Sequence, residues 1–121
     1  MKPRIAIIHG EPAGIGPELV AKLLSEPDLH ELADIVLIGD RHVFELGQQH
    51  AGTDWKMREV DPDYPADWWQ GENFAWLPME TIASEDIQIA QVSEAGGRAS
   101  LRGLDCAVDL TTAGIVDAIL F

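Results

Sequence analysis

The sequence predicts an α/β fold of three layers, a mostly parallel sheet with helices on both faces. Two uninterrupted apolar runs, Ile5-Ala6-Ile7-Ile8 and Ile35-Val36-Leu37-Ile38, do not alternate with polar residues. That is the pattern of strands covered on both sides. Between and after them run segments of helical periodicity. The chain has 121 residues, 46% of them hydrophobic, which suits one folded unit with a single core over 1–121.

The elements follow in order. The first run is a strand, and His9 to Gly16 is a glycine-rich loop. Pro17 falls at a first helical position, where its missing N–H costs nothing. Leu19, Val20, Leu23 and Leu24 share one face of the helix that starts there, and Pro27 marks its end. The second run is a strand, and Gly39-Asp40 turns into a shorter helix around His42 to Gln49. Residues 52–86 are less regular, with short strands expected at Lys56 to Val60 and at Phe74 to Leu77. A helix of about 30 Å is expected from Glu94 to Ala113. Ser93 is its N-cap, Gly114 its C′ residue, and Leu101, Leu104, Ala107 and Val108 its buried side. Ile115 to Phe121 reads as another buried strand, and the expectation is of a truncated unit that stops inside it.

Composition excludes several partners. Eight Lys+Arg against 21 Asp+Glu give a formal charge of −13, which repels nucleic acid and anionic membrane. No apolar stretch reaches spanning length. Cys106, the single cysteine, cannot form an internal disulfide, which fits a reducing, cytoplasmic setting.

The sharpest local feature is Gly10-Glu11-Pro12-Ala13-Gly14-Ile15-Gly16-Pro17-Glu18 between a strand and a helix. Glycines there permit a tight turn and bring N–H groups close to a ligand, and a helix N-terminus favours negative charge. The spacing matches neither a dinucleotide fingerprint nor a nucleoside-triphosphate loop, so a structural turn and a ligand contact both stand. Glu11 suits a ribose hydroxyl, a metal-bound water or an Arg partner better than a phosphate. His9, His30, His42 and His50 lack metal-ligand spacing, and surface positions are expected, except that His9 abuts the loop. Trp55, Trp68, Trp69 and Trp76 suggest packing or a subunit contact. Cys106 reads as an inert thiol, and Gly96-Gly97-Arg98 as a weak helix start or close packing against a neighbour.

The glycine segment, together with Pro3-Arg4-Ile5-Ala6-Ile7, Ala33-Asp34-Ile35-Val36-Leu37-Ile38-Gly39-Asp40, Val92-Ser93-Glu94-Ala95-Gly96-Gly97-Arg98-Ala99 and Ala113-Gly114-Ile115-Val116-Asp117-Ala118-Ile119, resembles the 4-hydroxythreonine-4-phosphate dehydrogenase family. The resemblance runs the length of the chain, loosely over 45–90. It implies an isocitrate/isopropylmalate dehydrogenase-like fold and a homodimer with its active site in a cleft between domains. It also implies NAD or NADP and a divalent metal (Zn, Mg or Co) as cofactors. The reaction it implies is oxidation of the secondary alcohol of a small phosphorylated hydroxy acid such as 4-phosphohydroxy-L-threonine, then decarboxylation, with a product that feeds pyridoxal 5′-phosphate synthesis. Related branches act on threonate or erythronate phosphates or on aromatic dihydrodiols. The family's Thr-Ala/Gly-Pro-x-x-Lys segment would follow Phe121, with its substrate-binding His-Thr pair and metal-binding histidines further on, so no catalytic or metal residue is assigned within 1–121. His9 stands where many relatives carry a small residue. The implied cofactor-binding residues are Glu11, Ala13, Gly14, Ile15 and Gly16. On this reading the 121 residues alone are an inactive part of the enzyme; the alternative is a truncated binding or assembly module that uses an exposed Trp-rich segment.

Overall fold

The computed structural model describes residues 2–71 and 73–121. Five strands, β1 (Arg4–Ile8), β2 (Asp34–Gly39), β3 (Arg58–Glu59), β4 (Ala75–Pro78) and β5 (Ala118–Leu120), form one sheet in the order β3-β4-β2-β1-β5. Every pairing is parallel, with Ile7 opposite Leu37, Ile38 opposite Leu77 and Ala6 opposite Ile119. The helices are α1 (Gly16–Leu24), α2 (Leu29–Leu32), α3 (Arg41–Ala51) and α4 (Glu94–Thr112).

Because successive side chains of a strand point to opposite faces, each apolar run supplies two cores at once. Ile7, Ile35, Leu37, Phe74 and Trp76 pack on one side with Val20, Ala21 and Leu24 of α1 and Phe44 of α3. Ala6, Ile8, Val36, Ile38, Ala75 and Leu77 pack on the other with Ala107 of α4 and with Trp68. Burying each large aliphatic side chain in these layers contributes about 1.5–3 kcal/mol. Helices α1 and α3 lie unusually close, since a Cβ on Gly47 would overlap the Pro17 carbonyl.

The expected fold class holds, and three expectations are corrected. First, α4 does not bury Leu101 and Val108, which are 62% and 45% exposed. Its buried residues are Gly96, Ala99, Gly103 and Ala107, a stripe of small residues at helical spacing that lets the helix sit close on the sheet. Second, Leu19 is exposed, because Val20, Ala21, Leu24 and Pro17 already fill the face of α1 toward the sheet. Third, β5 is not a buried strand: Leu120 and the following Phe121 are 46% and 80% exposed, β5 lying at the edge of the sheet with β1 as its neighbour. The tryptophans pack, one of the two readings made for them, rather than form the exposed segment that a binding module would use. Trp68 and Trp76 are buried, their indole N–H groups donating to Asp61 O and Gly39 O. As expected, Ser93 caps α4, its hydroxyl accepting from the Gly96 N–H at 3.0 Å, and Gly114 follows the helix at φ 75°.

Candidate functional site at the carboxyl end of the sheet

Chain order fixes where the sheet opens. The chain leaves β1 and β2 for α1 and α3 on one face, and leaves β4 for α4 on the other. Since β2 and β4 are neighbours, their exits diverge, and a crevice forms outside their carboxyl ends. An open groove of about 730 Å³ lies there, walled by Asp40 and Arg41 after β2, Pro78 at the end of β4 and Met79 to Ala83 after it, and Ala95 and Arg98 of α4. Arg41 lies 4.9 Å over the Trp76 ring and 3.8 Å from Glu59, while Arg98 pairs with Glu94. With Glu59, Glu80 and Asp86 also on the wall, the cations are matched by carboxylates.

Asp40 holds one side of this groove together. It sits at the N-cap position of α3, yet makes no capping bond. Its buried carboxylate instead accepts from the Thr81 N–H at 2.8 Å, the Thr81 hydroxyl at 2.8 Å and the Ile82 N–H at 3.1 Å. Sequence reasoning misses Asp40, because an Asp before a helix reads as a local cap rather than a clamp on a loop 41 residues away. Replacing Asp40 with Ala leaves those donors unmatched, and we expect a loss of about 3 kcal/mol. The denaturation midpoint and faster amide exchange at Thr81 and Ile82 check this.

The glycine loop lies beside the groove, over the end of β1. Gly14 N–H donates to Glu11 O at 3.0 Å, closing a turn, and the Glu11 carboxylate accepts from the Ala13 N–H at 3.1 Å. The Ser100 hydroxyl donates to Gly10 O at 2.9 Å and the Ala90 N–H to Ala13 O at 2.8 Å. Ala90 takes a φ of 63°, which costs a non-glycine residue about 1 kcal/mol and marks a segment held by its surroundings. Gly16 passes so close to β1 that any Cβ would overlap the His9 carbonyl oxygen.

The five expected loop residues therefore divide. Ala13 is buried, and Glu11 is directed onto Gly96 at the start of α4. Gly14 and the 70% exposed Ile15 face solvent just before α1, Ile15 at its N-cap position, a terminus with no side-chain cap. Gly16 sits beneath them, half-buried. Close packing at Gly96 matches one of the two readings of the Gly96-Gly97-Arg98 segment.

The histidines separate as well. His9 is buried at the end of β1 with neither ring nitrogen bonded, packed against Gly39 and 6.2 Å from the Phe44 ring centroid. Burial pushes its pKa down to about 4, against a smaller opposing pull from Asp40. A cavity of about 20 Å³ adjoins it, lined also by Ser100 and Thr81, with room for a single water. His30 is not freely solvated, as expected of it, but stacks on Phe74 at 3.9 Å. His50 is exposed, and His42 is half-buried. Among the described residues no group of three or more His, Cys, Asp or Glu could hold a metal ion. Cys106 is half-buried in α4, its thiol pushed up by burial and by Asp109, as an inert thiol would be. Among the described residues no helix is long and apolar enough to cross a membrane.

No family model matches the sequence. Individual relatives do. A Pseudomonas aeruginosa protein named as a 4-hydroxythreonine-4-phosphate dehydrogenase is 38% identical over 121 residues, 98% of this chain and 35% of that protein. A Fusobacterium nucleatum protein named as a D-threonate 4-phosphate dehydrogenase is 29% identical over 119 residues, 98% of this chain and 36% of that protein. Among solved structures, a 4-hydroxythreonine-4-phosphate dehydrogenase from Burkholderia phymatum superposes with a TM-score of 0.84 at 27% identity, over 98% of this chain and 36% of that one. The chain thus spans about a third of the length of the relatives it matches. Over nearly all of its residues the chain agrees, in sequence and in fold, with an N-terminal third of 4-hydroxythreonine-4-phosphate dehydrogenase family members.

Proposed function

We propose that this chain is the N-terminal part of a dehydrogenase that oxidises the secondary alcohol of a small phosphorylated hydroxy acid, with NAD or NADP as hydride acceptor and decarboxylation afterwards. The observation that supports this reading is the match of nearly the whole chain to relatives named as dehydrogenases of 4-hydroxythreonine-4-phosphate or D-threonate 4-phosphate, the glycine segment lying at the carboxyl end of the sheet. Parallel α/β sheets bind their ligands at that end.

Within such an enzyme the segment of Glu11, Ala13, Gly14, Ile15 and Gly16 lines the cofactor cleft. Gly14 and Ile15 suit this because they are exposed beside a helix N-terminus without a side-chain cap, whose dipole favours a polar or anionic part of a nucleotide. Glu11 and Ala13 support the turn from beneath, and Gly16 lets it approach β1. A divalent metal, Zn, Mg or Co, takes its ligands from elsewhere, since the described residues hold no cluster to bind it. The working form is a cytoplasmic homodimer in pyridoxine or related threonate-phosphate metabolism. The 121 residues by themselves are inactive on this reading, because the catalytic and metal-binding segments that the resemblance implies are expected outside residues 1–121.

The protein produced from its whole reading frame should reduce NAD or NADP when given 4-phosphohydroxy-L-threonine or phosphothreonate with a divalent metal. The 121-residue chain assayed alone should not. Absence of turnover by a folded full-frame protein with both substrates and both cofactors would sink the reading.

A further inference from the structure

The start of α4 lacks a side chain that its cap calls for. Ser93 is the N-cap, and the position three residues on, where a capping box places Glu or Gln, is Gly96. The volume that a side chain on Gly96 would enter is filled by another segment: a Cβ there would overlap Glu11 Oε1 and lie 2.7 Å from Glu11 Cδ and Oε2. The same carboxylate accepts the Ala13 N–H, and the Ser100 hydroxyl one turn along α4 holds Gly10 O. A negative group at a helix N-terminus is also favoured by the helix dipole.

We propose that Glu11 is a positioning residue, a carboxylate lent from the glycine loop to the vacant capping position of α4, which latches the loop to that helix and so presents Gly14 and Ile15 outward. This deepens the cofactor reading and rests on it: Glu11 acts through the loop rather than by touching the cofactor. Gly96 is its necessary counterpart, since any larger residue evicts the carboxylate.

The test is a double-mutant cycle of Glu11→Ala, Gly96→Ala and the pair, in the protein from the whole reading frame. Each single change should lower Tm by about 4 °C or more and speed amide exchange across residues 10–16 without cofactor. The pair should be less than additive, because the methyl added at position 96 enters the space that the Glu11 carboxylate vacates. With the loop in place about a tenth of the time, the NAD+ dissociation constant rises about tenfold in both single variants, although Gly96 lies away from the exposed loop face. Additive effects on Tm, or weaker NAD+ binding in Glu11→Ala with loop exchange unchanged, would overturn the latch. If the parent protein binds no NAD+, the cofactor reading fails, and the Tm and exchange cycle still decides whether Glu11 and Gly96 are coupled.

Discussion

Replacing Gly16 with Ala should destabilise the protein by about 3 kcal/mol or more, the upper range for overpacking. The added methyl would meet the His9 carbonyl oxygen and carbon, which belong to the main chain just beyond β1. Neither α1 nor the buried sheet can yield without breaking contacts among Pro17, Val20 and Leu24. Against a typical total of about 5–15 kcal/mol, such a loss leaves little folded protein at elevated temperature. Gly14→Ala is the control: its methyl would rest 3.4 Å from Glu11 O, so its cost should stay within about 1 kcal/mol. Denaturant midpoints of the two variants measure the contrast, and equal midpoints would remove the role given to Gly16.

Acid should destabilise the protein through His9. Its folded pKa of about 4 lies below the ordinary 6.5, because burial disfavours the imidazolium and no hydrogen-bond partner compensates. The unfolded chain therefore takes up a proton that the folded chain refuses. The stability contributed by neutral His9 is complete above about pH 6.5 and is lost as pH falls toward 4, and the gap between these values corresponds to about 3 kcal/mol. In His9→Asn, which carries no titrating group, that part of the decline should disappear. Unfolding free energy against pH for the two proteins checks this, and parallel curves from about pH 6.5 to 4 would refute the assignment.

What the sequence discloses follows from local rules. The β1 and β2 runs, the Ser93 cap and the Gly114 terminus depend on residues within a few positions, and the structure places them where those rules expect. The buried face of α4 escapes such rules because Leu101 and Val108 dominate a hydrophobic pattern, whereas close approach to the sheet selects Gly96, Ala99, Gly103 and Ala107. Strand β3 has two residues and is set by pairing with β4, a long-range contact that no local pattern announces. At the candidate site the glycine loop is visible in the sequence, but the direction of Glu11 is not, since its partner at Gly96 belongs to a helix far along the chain. Asp40 and His9 likewise owe their character to burial, which only the assembled layers impose.

Whether this glycine loop faces a nicotinamide cofactor is decided by amide hydrogen exchange of the full-frame protein with and without saturating NAD+ or NADP+. Added protection is expected at Gly14, Ile15 and Gly16 and along the first turn of α1 to Leu19. Protection confined to other segments, in a protein that binds the cofactor, would contradict it.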